Sequence, residues 1–352
     1  MGRQFLEPVA DASVEDVVGR LGALQAQSED ATELSIYLRR RSFERADVAD
    51  AFRDGRLIRT FAFRGATHLM TVQMAAIFLT LRASSKVWER PAWQEFYKLK
   101  PSDWPAFRQT VRDALADGPL TRQELGRRVT AHARYSHLSF VFTDDNWTLL
   151  KPLTWMGDMA FGSPMGGRAT FQRLDSNPRW TGLVDVDEAG IEAVRAYLSA
   201  YGPATVGHLN YWLGNGLSAG RKKVSSWILR LGDAIAQVDV QGESALVLAE
   251  HVDELAAARE TRTVRMLPAY DQWMIGPGTA DDRVTPRSWR SAVTRGSNVV
   301  IVGGVVCGTW KVKGELVIVD ALDDSGSMPR DEIDREIGRT GRILGKALVL
   351  DG

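Results

Sequence analysis

The chain has 352 residues, enough to bury a large core in two or three modules or one composite domain. Its 44 basic and 44 acidic side chains cancel, which excludes the global positive field of many small nucleic-acid-binding proteins and confines any such site to a local patch. The single cysteine, Cys307, excludes a disulfide framework and no Cys/His cluster offers a zinc site, so a reduced, cytosolic protein without metal, cofactor, signal peptide or membrane span is expected.

In chain order, a first helix is predicted from Val14 to about Gln25, because Ser28, backed by Glu29 and Asp30, reads as the N-cap of a second helix. The link between them is Gln25-Ala26-Gln27. On a continuous helix, positions i and i+2 diverge by about 200°. In an extended link they point the same way. Gln25 and Gln27 can then project into one cleft, or they merely cap and solvate a helix end. Arg45 to Arg53 reads as a helix, Asp54-Gly55 as a stop, and Leu57–Phe63 with Thr67–Met70 as a hairpin. His68 on that hairpin can meet a phosphate, orient a water, or serve as a hydrogen-bonded structural histidine. The aromatic and lysine-rich stretch Trp88 to Trp104 reads as a linker.

A pattern G-P-x-T-x-x-x-L then occurs twice, at Gly118–Leu125 and Gly202–Leu209. In each copy Gly-Pro stops a helix (Ala106 to Leu115; Ile191 to Ala200) and Thr121 or Thr205 caps the next. The first copy leads to Lys151–Gly162, expected to be strand, turn and strand. The second leads to a helix, Arg221 to Leu231, and a hairpin within Ala234 to Ala249. Helix, turn, helix and hairpin is the winged-helix order, giving three candidates. Val264–Ile275 and Asn298–Leu322 read as antiparallel strands of a small sheet or barrel, followed by a helix, Asp331 to Leu344, and a strand-like tail, Lys346 to Leu350. The fold class is α+β, with expected units 1–85, 86–175, 176–260 and 261–352.

Basic residues fall in local clusters: Arg39-Arg40-Arg41; Arg56 with Arg59 and Arg64; Arg221-Lys222-Lys223; and Arg283, Arg287, Arg290 and Arg295. Most such runs are solvated faces. Arg221-Lys222-Lys223, however, opens the helix expected to act as a recognition helix, where cations and backbone N–H groups can meet phosphates together. The basic segment from Pro277 to Arg295 is expected to be a hairpin or loop directed toward DNA, with Arg287 and Arg290 as contacts. Asp271 either steadies a cation or caps a turn, and Cys307 on an apolar strand is expected in the core. The glycines around Gly303 precede no helix and form no dinucleotide fingerprint.

Four strings occur in an order that resembles the AlkZ/YcaQ family of DNA glycosylases: Leu24-Gln25-Ala26-Gln27, Leu57 to Leu69, Leu267-Pro268-Ala269-Tyr270-Asp271, and Val306 to Lys311. The resemblance covers nearly the whole chain. It implies tandem winged helices around a β-barrel in a C-shaped molecule that binds duplex DNA, as an expected monomer, and hydrolyses N-glycosidic bonds of N7-alkylated purines. The family's catalytic motif is glutamine, an apolar residue, then glutamine or aspartate. With amides at both ends, this chain resembles the AlkZ branch, linked to self-resistance against DNA-alkylating natural products and to crosslink unhooking. Gln25 and Gln27 are the implied catalytic residues.

A glutamine amide does not titrate near neutral pH and cannot act as a general base. An N7-alkylguanine is already cationic and a good leaving group, so oriented carbonyl dipoles that hold a water and stabilise the sugar cation suffice. The competing expectations are a non-catalytic winged-helix transcriptional regulator and a protein that sequesters the genotoxin through its tryptophans. Gln→Ala changes separate the enzyme from the first, and binding of free drug without DNA identifies the second.

Overall fold

The computed structural model describes residues 1–7, 11–143, 147–321 and 330–351. The first module runs α1 (Val14–Leu21), β1 (Leu24–Gln25), α2 (Glu29–Tyr37), α3 (Asp47–Arg53), β2 (Leu57–Phe61) and β3 (Thr67–Thr71). Its sheet has the order β1-β3-β2, all antiparallel. Helix α1 starts in a capping box between Ser13 and Asp16 and stops at Leu21 because Gly22 takes φ 77°, which favours glycine. The helix therefore ends well before Gln25, earlier than expected from the Ser28 cap. That cap does open α2, accepting from Ala31 N.

Helices α4 (Val72–Ala83) and α5 (Pro91–Tyr97) lead to the second module, so the stretch read as a linker is itself partly helical. This module comprises α6 (Trp104–Ala114), β4 (Leu120–Thr121), α7 (Arg122–Thr130), α8 (Ser139–Thr143), α9 (Leu150–Trp155), β5 (Met159–Met165) and β6 (Arg168–Arg173). Its sheet order, β4-β6-β5, repeats that of the first. The hairpin lies later than expected, because Leu150–Trp155 is a buried helix with Pro152 in its first turn, where no intrahelical N–H is lost. The third module has α10 (Val186–Tyr201), α11 (Val206–Leu209), α12 (Arg221–Leu231), β7 (Ile235–Val240) and β8 (Glu243–Leu248). A single bridge from Ala204 to Leu246 stands where the first strand stood in the other two. All three modules thus have winged-helix connectivity. The repeated motif works as its residues suggest: Thr121 and Thr205 each close a capping box, with Glu124 and His208, while Leu125 and Leu209 are fully buried.

After α13 (Val252–Ala256) the chain forms β9 (Val264–Leu267), α14 (Gln272–Ile275), α15 (Arg290–Thr294), β10 (Asn298–Val302), β11 (Val305–Lys313), β12 (Leu316–Ala321), α16 (Arg330–Leu344) and β13 (Val349–Leu350). The five strands, ordered β13-β12-β11-β10-β9, form a curled half-barrel sheet that α16 covers at β9. Leu322, expected in this strand region, lies outside the described residues. The expected strand through Ile275 breaks at Pro268 and becomes α14, capped by Asp271. Cys307 is buried, as its apolar strand suggests, and burial pushes its thiol up to about 11. Among the described residues, no helix is long and apolar enough to cross a membrane.

The first sheet positions the site because it separates two apolar cores. Ala23, Ile58 and Met70 pack into one core with the second and third modules. Their chain neighbours Leu24, Leu57 and Leu69 pack into the other with the C-terminal sheet. This is strand alternation with both faces buried.

Candidate active site

The Gln25-Ala26-Gln27 segment is pinned at its backbone. Gln25 pairs with His68 across β1 and β3, and Ala26 N donates to Thr67 O at 2.8 Å. On the other side, Arg59 Nη2 donates to Ala26 O at 3.2 Å, and the Thr32 hydroxyl lies 3.2 Å from Gln25 O and 2.7 Å from Ser28 O. Gln25 therefore sits on a short extended strand, but the strand ends there, and Gln27 is not among the residues lining the cavity beside Gln25. Gln27 is exposed at the bend that leads into α2.

A cavity of about 210 Å³ opens beside Gln25, lined also by His68, Arg64, Gln272, Phe63 and Trp212. Phe63 holds the apolar side, with its ring centroid 4.4 Å from that of Trp212 and 5.3 Å from that of His68. His68 is buried, and its Nδ1 lies 2.9 Å from Ala66 O. A carbonyl only accepts, so Nδ1 carries the proton and Nε2 is an acceptor. Burial is the main force holding this imidazole neutral; assisted by the nearby Arg64 charge and opposed by the Ala66 bond, it brings the pKa down to about 4. No carboxylate lines the cavity among the described residues.

The remaining sequence-predicted residues divide. Asp271 is not in the cavity: it is buried in a two-pronged pair with Arg39, at 2.7 and 2.8 Å, accepts from Ser35 Oγ at 2.5 Å, and caps α14 through Trp273 N at 2.9 Å. Burial alone would raise its carboxyl, but Arg39 and these hydrogen bonds hold it below the usual carboxylate range. Of its two expected roles, the turn cap is the one its geometry performs. Arg39, read as part of a surface cluster, is fully buried.

Arg59 is half-buried over the Phe161 ring and supports Ala26, so its guanidinium faces the protein rather than solvent. Arg64 is exposed at the cavity rim, 4.1 Å over the Tyr211 ring. Arg221, Lys222 and Lys223 are all exposed in the first turn of α12. Arg287 is exposed, whereas Arg290 is tied to Ala280 O and Asp282, each at 2.6 Å. The segment 277–295 forms no hairpin: it folds back around buried Trp289 and includes α15. Sequence reasoning missed Gln272 and Tyr201, which join the site only through long-range contacts; the sole signal was that Gln272 directly follows the Leu267–Asp271 string.

The fold and this amide-lined cavity have counterparts among known proteins. A family model described as DNA glycosylase AlkZ-like matches residues 18–343, and the chain belongs to that family of DNA glycosylases. It is 34% identical over 351 residues to an interstrand DNA cross-link repair glycosylase of Streptomyces sahachiroi, covering 98% of this chain and 94% of that protein. The solved structure of Streptomyces sahachiroi DNA glycosylase AlkZ superposes with a TM-score of 0.93 at 34% identity, covering 100% of this chain and 96% of that one. Family membership favours the enzyme over the non-catalytic regulator and the drug-sequestering protein.

Proposed function

We propose that this protein is a monofunctional glycosylase that hydrolyses the N-glycosidic bond of N7-alkylated purines in duplex DNA, in bulky adducts or interstrand crosslinks, with Gln25 and Gln27 as its catalytic residues. The observation that carries the reading is a polar cavity with a backbone-pinned glutamine and a neutral histidine but no carboxylate among its lining residues. Such a site has no strong base or acid to offer. It suits a leaving group that is already positively charged: the C1′–N9 bond breaks with its electron pair passing to the purine, neutralising it. A water oxygen then bonds to C1′ and releases its proton to solvent. The fixed carbonyl dipole of Gln25 holds that water, and that of Gln27 stabilises the cationic sugar, without reorganising.

Phosphate contacts are assigned to Arg64, Arg221, Lys222, Lys223 and Arg287, whose heads are exposed, while Arg59 supports the Gln25-Ala26-Gln27 segment and Arg290 supports its own loop. The enzyme acts as a monomer on DNA in the cytoplasm and needs no cofactor.

The test is release of modified base from a duplex carrying one N7-alkylguanine, scored as abasic sites. Gln25→Ala and Gln27→Ala are each expected to slow excision by about 100-fold with DNA binding kept. Sound DNA binding by wild type without excision of small or bulky adducts would overturn the reading.

A further inference from the structure

Gln272 lines the cavity with Gln25 and His68, and it reaches there from the opposite end of the chain. Its side chain is buried, and as placed its carbonyl oxygen Oε1 lies 3.2 Å from the Tyr201 hydroxyl. That hydroxyl has one proton, and the Leu21 carbonyl, at 2.7 Å, takes it. Tyr201 is partly buried, and the burial of its hydroxyl raises its pKa well above the ordinary tyrosine value. A hydroxyl whose proton is already committed can only accept from Gln272. The two ends of an amide are told apart by the hydrogen-bond network, and exchanging them here gives Tyr201 an N–H donor and turns the Gln272 carbonyl oxygen to the cavity. Two further contacts fix the start of this residue's helix: the Asp271 side chain accepts from Trp273 N, and the same carboxylate is locked to Arg39.

We propose that Gln272 is a third amide of the active site, holding the nucleophilic water jointly with Gln25. The cavity is polar and roomy enough for ordered water. A water that donates one O–H to each of two carbonyl oxygens has its lone pair free to face C1′. The oxygen joins C1′ as N9 departs with the bonding electrons, and the surplus proton goes to solvent. Tyr201 is a positioning residue, setting which end of the Gln272 amide faces the water. Because its proton goes to Leu21, the last residue of α1, the same hydroxyl ties Gln272 to the segment that enters β1.

This inference rests on glycosidic hydrolysis at Gln25, and the experiment separates the two. Single-turnover excision is measured on duplexes carrying one N7-methylguanine or one bulky N7-alkylguanine, across pH, for wild type, Gln25→Ala, Gln272→Met, Gln272→Glu and Tyr201→Phe. Gln272→Met keeps the shape and loses the carbonyl; it is expected to slow excision by about 100-fold with duplex affinity and melting temperature retained. Gln272→Glu is expected to recover part of the rate and to acquire a limb that rises with pH as its carboxyl ionises, which a structural role would not produce. Tyr201→Phe is expected to give a smaller loss. Wild-type rate in Gln272→Met, or a wild-type pH profile in Gln272→Glu, overturns the third amide while Gln25→Ala remains slowed by about 100-fold. No excision by wild type overturns the parent reading and this one together.

Discussion

The first and third winged helices share one connectivity and differ in what surrounds them. In the first, both strands of the wing are almost wholly buried, because cores press on both faces of its sheet. In the third, β7 is only half-covered along its length and the tip at Gln241-Gly242 is exposed, with positive φ at both residues as a two-residue hairpin turn requires. The supersecondary motif does not determine the use. An enclosed wing becomes one wall of the cavity beside Gln25. A wing and helix left at the surface present basic side chains to solvent, as Arg221, Lys222 and Lys223 do.

The largest test of this contrast is Asp271→Asn, which leaves Arg39 charged and unpaired in the interior beneath the first module. A loss of about 3–5 kcal/mol is expected from urea midpoints, whereas Glu243→Gln at the exposed wing should change stability by less than about 0.5 kcal/mol. Equal effects would erase the distinction.

The next concerns His68. Its folded-state pKa, about 4, lies below the value near 6.5 of an unfolded histidine, so the unfolded chain binds more protons between those pH values. Stability from this group is complete above about pH 6.5 and falls as the pH drops toward 4, by on the order of 3 kcal/mol. Comparing wild type with His68→Gln by chemical denaturation across that range should show the dependence disappear. A histidine open to solvent would show none to lose.

The smallest effect belongs to the third module. Changing Arg221, Lys222 and Lys223 together to Gln should lower the slope of log affinity against log salt on undamaged duplex by about 3, with no change in melting temperature. An unaltered slope would place phosphate contact elsewhere.

The tandem motif was legible because its signals are local. Gly-Pro, a threonine cap and a leucine four residues later act within one turn, and Thr121 and Thr205 cap as their spacing implies. The approach to Gln25 is legible as extended chain, but Gly22 at positive φ ends the preceding helix earlier than the Ser28 cap implies, and Gln27 stands at a bend beyond the strand. Leu150–Trp155 misled because a short apolar run fits a buried helix as well as a strand, and only Pro152 in a first turn favoured the helix. Arg39 and Asp271 were unreadable as a pair, since 232 residues separate them and each alone resembles a surface charge. Gln272 was hidden for the same reason: its meaning comes from Tyr201 and Leu21, neither of which is near it in the chain.

Strand β3 lies between β1 and β2 and between the two cores. A segment enclosed on four sides has no local route to solvent, so sub-global opening that frees a wing or a terminal helix elsewhere leaves it closed. The backbone that carries His68 and pairs with Gln25 is thereby coupled to cooperative unfolding of the whole molecule. Hydrogen exchange at the backbone amides of β3 is therefore expected to report the free energy of global unfolding.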